Sequence, residues 1–156
     1  MEVNAFQVPF KKLHKDAIIP SFGKDDVLNA GMDLYAVHGC TIPSGESAIL
    51  DTGVAWDGMA LMTQYEKPVL IIQSRSGLAF NHEVEASNAG VVDAGYRNSI
   101  KVRLYNNSKK PYHVSKGDRI AQAILYYIPL CIPVEIEEFS TPDTARGEAG
   151  FGSSGV

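Results

Sequence analysis

Alternation with a period of two recurs along this chain while helical spacing hardly appears, and that restricts it to strands. Ile100, Val102 and Leu104 alternate with Lys101, Arg103 and Tyr105, the pattern of a half-buried strand. Val134 and Ile136 alternate with Glu135 and Glu137 in the same way. The runs from Val69 to Ile72 and from Ile120 to Ile128 are apolar, β-branched and aromatic, which suits buried strands. Phe6, Val8 and Phe10 predict an N-terminal strand, and Pro9 pushes it to a sheet edge. Turn signals separate these runs at Pro43-Ser44-Gly45, Asp57-Gly58, Asn106-Asn107 and Lys116-Gly117-Asp118. One short helix is expected, at about Gly77 to Asn81 after the polar Ser74-Arg75-Ser76. The whole predicts an all-β fold, a sandwich or barrel of jelly-roll type.

With 156 residues and no internal repeat or linker, the chain reads as one β-rich domain over 1–140. A glycine- and serine-rich arm, 141–156, follows it. Fourteen basic against eighteen acidic residues give a net charge of −4, without the basic footprint of a nucleic-acid-binding module. Cys40 and Cys131 form no C-x-x-C pair and read as free thiols in a reducing compartment. His14, His38, His82 and His113 lack metal-ligand spacing, which argues against a protein-bound zinc. The N-terminus carries Lys11, Lys12 and Lys15 and no apolar leader, and the longest uncharged run, Ile120 to Val134, is too short to span a membrane. A cytoplasmic or other soluble intracellular location is expected, the host cytoplasm if the source is viral.

Three segments carry chemistry. In Ser74-Arg75-Ser76-Gly77-Leu78-Ala79 a cation, a hydroxyl and a glycine meet at a strand-to-helix junction, where backbone N–H groups can face an anion; a capped helix start with a surface arginine is the plainer alternative. In Gly90-Val91-Val92-Asp93-Ala94-Gly95-Tyr96-Arg97, Asp93 reads as a carboxylate at a hairpin tip, either bonding its own backbone or acting as a general base beside the flat ring of Tyr96. In Arg146-Gly147-Glu148-Ala149-Gly150-Phe151-Gly152-Ser153-Ser154-Gly155, an arginine and a lone aromatic sit among glycines, as in a lid that orders on a nucleotide. Two weaker segments add Asp33, an acid in an apolar stretch that must be paired if buried, and Arg119 with Gln122, which reach phosphate or tie a turn.

In this order the five segments resemble the five motifs of the trimeric dUTPase family, over residues 30 to 156. The resemblance implies a jelly-roll-like β-clip fold, a homotrimer with shared active sites, and Mg²⁺-dependent hydrolysis of dUTP to dUMP and pyrophosphate. That reaction would keep uracil out of DNA and supply dUMP for dTTP synthesis. Asp93 then matches the acid that activates water for attack on the α-phosphorus, and Tyr96 the ring beneath the deoxyribose that leaves no room for a 2′-hydroxyl. Arg75, Ser76 and Gly77 match the phosphate-contacting segment, and Gln122 the glutamine near the phosphates. Ser87, Asn88, Gly90, Val91, Val92 and Lys101 fall in the hairpin, about Ser87 to Lys101, that would read uracil mostly through backbone groups. Arg146 matches the arginine on the terminal phosphate and Phe151 the ring over uracil, with Gly152 and Ser153 adding phosphate contacts. Asp33 resembles the aspartate that meets Mg²⁺ through water, the ion being held mainly by the substrate phosphates.

The chain departs from the family pattern without losing a residue of direct chemical role. Gly95 replaces the second acid of the third motif, Asn98-Ser99 a Gly-Glu pair, Ser74 a proline and Ala149 a glycine; Ser87 stands where many bacterial relatives have asparagine. Arg97, Arg103 and Arg119 are open between ligand, interface and surface roles, the last two reading as structural. A dCTP deaminase of similar fold is the nearest alternative, but Arg103 occupies the position where those enzymes place a glutamate. A trimeric binding module without turnover is another, and a regulatory protein partner is compatible with either.

Overall fold

In the computed structural model, which describes residues 5, 7–25, 28–141, 144 and 147, strands dominate and one short helix interrupts them. The strands are β1 (Phe10–Lys12), β2 (Ser21–Phe22), β3 (Met32–Tyr35), β4 (Cys40–Ile42), β5 (Ser47–Asp51), β6 (Val54–Trp56), β7 (Glu66–Gln73), β8 (Val84–Ala86), β9 (Val91–Asp93), β10 (Lys101–Asn106), β11 (Tyr112–Val114) and β12 (Arg119–Pro129); helix α1 (Ser76–His82) lies between β7 and β8. A five-stranded sheet runs β2-β3-β12-β7-β9 and a three-stranded sheet β5-β10-β8, while β1-β6 and β11-β4 pair separately. All of these pairings are antiparallel. The result agrees with the all-β expectation.

Side-chain alternation explains the layers. On β10, Val102 and Leu104 point into the core while Lys101, Arg103 and Tyr105 point out. β12 is the central strand of the larger sheet, and its Ala121 and Ala123 are fully buried in the core. Leu34, Ile42, Leu70, Leu104 and Ile120 are fully buried with Trp56 in one continuous core. Each such side chain contributes about 1.5–3 kcal/mol by leaving water. Asn106, also fully buried, donates from Nδ2 to the carbonyls of Ile42 (2.9 Å) and Lys110 (2.8 Å), so its amide closes the turn after β10. The helix begins at the Ser76-Gly77 step, buries Leu78, and stops at Glu83, whose left-handed backbone (φ 54°) turns the chain into β8.

Three expectations need correction. The alternating stretch Val134 to Glu137 is not a strand: its residues are exposed and no described residue supplies a ladder for it. The N-terminal strand begins at Phe10, with Gln7, Val8 and Pro9 outside it and Phe6 outside the described residues; Pro9 lends its carbonyl to Asp57 N–H but has no N–H of its own for a ladder. The segment from Ser87 to Lys101 is not a hairpin, because β9 joins β7 while β10 joins β5 and β8. The β-branched pair Val91-Val92 extends the backbone, and Gly90 lets it close on β7: a Cβ there would sit 2.6 Å from the Ile72 carbonyl oxygen. Both cysteines are free, as expected. No helix among the described residues is long and apolar enough to cross a membrane.

Candidate active site

At one end of the larger sheet, β3, β12 and the start of α1 converge on a polar pocket of about 180 Å³. Ladder pairing fixes its floor, since Gln122 on β12 lies opposite both Asp33 on β3 and Gln73 on β7. Asp33 is 7% exposed, and its charge is balanced on both sides. Arg75 Nε donates to its Oδ1 at 2.7 Å and Arg119 Nη1 to its Oδ2 at 3.3 Å. Gln122 Nε2 donates to the Ser74 carbonyl at 2.9 Å. Gly31 is obligatory beside it, because a Cβ would come within 2.9 Å of the Gln122 Cβ, which the strand holds in place. Arg75 stands at the helix N-cap with no side-chain bond closing the first turn, so the N–H groups of Ser76 and Gly77 face an incoming acceptor. Two guanidiniums on one carboxylate leave a net positive, donor-rich pocket, suited to phosphate oxygens.

A second cavity, about 220 Å³ and mainly apolar, opens on the outer side of β10. Ser87, Gly90 and Lys101 line it together with Ile49, Ile72 and Arg103. Asn88 is exposed, Val91 turns outward on β9, and Val92 packs into the core. Beyond β9 the chain makes a tight turn, with Tyr96 N–H donating to the Asp93 carbonyl at 3.0 Å. The Trp56 indole N–H donates to the same carbonyl at 3.1 Å. The Asp93 carboxylate is exposed and pairs with no described residue, which leaves it accessible to a water. Tyr96, 39% exposed, donates its hydroxyl to the Ser99 carbonyl at 3.0 Å. Nearby Asp51 is pushed up by partial burial, but the Ser99 hydroxyl and Gly53 N–H outweigh that, helped by the charges of Lys101 and His14; its carboxyl sits below the usual range.

Within one chain these two parts do not meet. Asp93 pairs with Val69 on β7, whereas the pocket lies at Gln73 and beyond β12. Four residues along the strand and three strands across put Asp93 about 20 Å from Asp33 at ordinary ladder spacings. The sequence thus picked out Asp33, Arg75, Ser76, Gly77 and Gln122, which one pocket unites, and Asp93 and Tyr96, which one turn unites. Arg119 and Arg103, read as structural, line the two cavities. Gly31, Ile49 and Ile72 were missed, since nothing in a sequence separates a cavity wall from ordinary core. Arg146, Phe151, Gly152 and Ser153 lie outside the described residues.

No three His, Cys, Asp or Glu side chains among the described residues cluster to hold a metal. Among the described residues Asp33 is the one acid lining the polar pocket, and both of its oxygens already accept from arginines. Each oxygen keeps a second lone pair, so the set fits an ion delivered on a polyphosphate and met through water, and it does not fit a resident ion with direct protein ligands.

A model of the dUTPase family matches residues 17–155. Deoxyuridine 5'-triphosphate nucleotidohydrolase of Helicobacter hepaticus is 38% identical over 150 residues, covering 96% of this chain and 89% of that protein. The protein of the same name from Gloeothece citriformis is 40% identical over 147 residues, covering 93% and 94%. Among solved structures, a variant of the dUTPase of Staphylococcus bacteriophage 80alpha with dUpNHpp superimposes with a TM-score of 0.78 at 25% identity, covering 97% of this chain and 100% of that one.

Proposed function

The chain belongs to the dUTPase family, and from that premise we propose that it hydrolyses dUTP to dUMP and pyrophosphate. The observation that carries the proposal is the donor-rich pocket around Asp33, Arg75, Arg119 and Gln122, built on the same sheet whose edge strand ends in the exposed Asp93. Asp93 accepts a proton from water as the water oxygen attacks the α-phosphorus; the bond from that phosphorus to the bridging oxygen breaks and pyrophosphate leaves. Arg75 and Arg119, with the N–H groups of Ser76 and Gly77, bind the phosphates and stabilise charge building on the leaving group. Mg²⁺, when bound on the triphosphate, supplies further neutralisation of that charge. Tyr96 carries the deoxyribose, while Ser87, Asn88, Gly90, Val91, Val92 and Lys101 frame uracil. Arg146, Phe151, Gly152 and Ser153 close over the nucleotide as a lid, and the dUMP released feeds dTTP synthesis.

The site is assembled between copies of the chain, as a homotrimer. Asp93 and Asp33 lie about 20 Å apart within one chain, whereas a general base must stand within hydrogen-bond reach of the water that attacks the bound phosphate, so the phosphates held in one chain's pocket are placed against the Asp93 of another. Leu130, Ile132, Val134, Ile136 and Phe139 are exposed on one extended segment, the kind of apolar surface that a subunit contact covers.

The test is pyrophosphate release from dUTP, dTTP, dCTP and UTP, each with Mg²⁺ and then with EDTA. Release from dUTP alone, lost with EDTA, is the expected result. No release from any of the four by a folded trimer refutes the proposal.

A further inference from the structure

We propose that Asp51 and Ser99 are positioning residues for Tyr96, their side-chain bond fixing the loop whose ring tests the sugar; the proposal rests on reading the chain as a dUTP hydrolase. The Tyr96 hydroxyl donates to the backbone carbonyl of Ser99 at 3.0 Å. Ser99 is 6% exposed, its hydroxyl donates to Asp51 Oδ1, and its N–H donates to Asn98 Oδ1 at 2.7 Å. Asp51 is the last residue of β5, and the same oxygen accepts Gly53 N–H at 2.8 Å. The acceptor of the tyrosine and the donor to the carboxylate therefore belong to one residue. Any shift of Ser99 away from Asp51 carries the anchor of Tyr96 with it.

The loop from Asp93 to Ser99 is thus held at both ends. Trp56 Nε1 grips the Asp93 carbonyl at one end, and the Ser99–Asp51 pair grips the other. Between them the surface ion pair of Arg97 Nη1 with Asp57 Oδ1, at 2.8 Å, joins two half-exposed side chains and adds little. The strands beneath do not depend on Ser99. Thr52 bonds the Ile100 carbonyl through its N–H (3.1 Å) and hydroxyl (2.7 Å), and Ile100 N–H bonds Val54 O at 2.8 Å. Loss of the serine hydroxyl therefore loosens the loop and leaves the sheet intact. A glutamate at position 99 would set a second carboxylate against Asp51 and repel it.

The experiment compares kcat and KM for dUTP and UTP in the full-length protein and in Ser99→Ala, Asp51→Ala, Asp51→Asn, Tyr96→Phe and Ser99→Ala/Tyr96→Phe, with thermal midpoints in parallel. A misplacement of 1 Å can cost up to about 100-fold. We expect Ser99→Ala, Asp51→Ala and Tyr96→Phe each to lower the dUTP-to-UTP ratio of kcat/KM by about tenfold, mainly through KM. Asp51→Asn keeps an acceptor oxygen and keeps the ratio. The double variant is no worse than either single one, because both remove the same anchor. A purely structural bond would lower the midpoint and leave the ratio unchanged, and that result overturns the proposal. So does a double variant whose loss is the product of the singles. Tyr96→Phe cuts the same link from the exposed side, so an unchanged ratio there refutes the idea even where Ser99→Ala does not fold. A wild-type protein that turns over dUTP while the variants keep its ratio sinks this inference alone; one that does not turn over dUTP sinks the proposed function and the inference together.

Discussion

Replacing Asp33 by asparagine tests the polar pocket most directly, because shape is kept and only charge is lost. Asp33 takes two guanidinium bonds, from Arg75 at 2.7 Å and Arg119 at 3.3 Å, with its own side chain 10% exposed. The Arg75 bond joins two mostly buried groups, and a charge-assisted bond of that kind contributes about 1.5–3 kcal/mol. The Arg119 partner is half exposed, which limits its share to about 0.2–1 kcal/mol. The amide keeps one neutral acceptor for Arg75 and turns an N–H₂ donor towards Arg119, so both contributions fall together, by about 2–3 kcal/mol in sum. At about 2–4 °C per kcal/mol for a chain of this size, the thermal midpoint drops by about 4–12 °C. The assay is calorimetry at fixed protein concentration, because assembly shifts the midpoint by mass action. KM for dUTP is expected to rise more than kcat falls, since the unbraced arginines bind phosphate less well in every state. A midpoint within about 1 °C of wild type would refute the pairing as a stabilising element.

Further outcomes follow from the same geometry. Asp93→Asn should keep the fold and nucleotide binding while losing most turnover, read by equilibrium binding beside pyrophosphate release; near-normal turnover removes Asp93 from the general-base role. Truncation after Asp143 should leave a folded assembly by size-exclusion chromatography with severely impaired hydrolysis; normal hydrolysis would remove the arm from the site. Asp51, its carboxyl held below the usual range, contributes stability at neutral pH that is lost as pH falls below about 4, through its depressed folded value. Asp51→Asn has no such contribution to lose, so its urea midpoint should decline less steeply over that acid range than the wild-type one.

How far the sequence foretold all this depends on which signal each residue carries. The apolar, β-branched and aromatic run placed β12, the Ser74-to-Ala79 segment placed α1 within a residue at each end, and period two placed β10 because one of its faces is buried. The same signal misplaced a strand at Val134 to Glu137, since alternation describes a surface that wants a partner and is silent on whether its own chain provides one. Ser87 to Lys101 read as a hairpin because chain order was taken for spatial order; the close approach at Gly90 instead hands β9 to β7. Asp33 was legible as an acid needing a partner. That Arg75 and Arg119, 44 residues apart in the chain, both supply it was not, because such convergence depends on long-range ladder register. Asp51 carried no motif and Ser99 stood out only as a departure from one, and only coordinates bring a serine after a turn against the end of β5.

The distance between Asp93 and the arginine pocket has a genetic corollary. If every site draws its acid from one copy and its phosphate grip from another, two different inactive chains can repair each other. Copies bearing Asp93→Asn retain Arg75, and copies bearing Arg75→Ala retain Asp93. Co-refolded, they should form mixed assemblies in which some junctions carry both intact partners, so that activity reappears from two preparations that have none. Two variants on the same side of the junction, such as Arg75→Ala with Gln122→Ala, should show no such recovery. The spacing along β7 would thus decide which pairs of defective alleles complement and which do not.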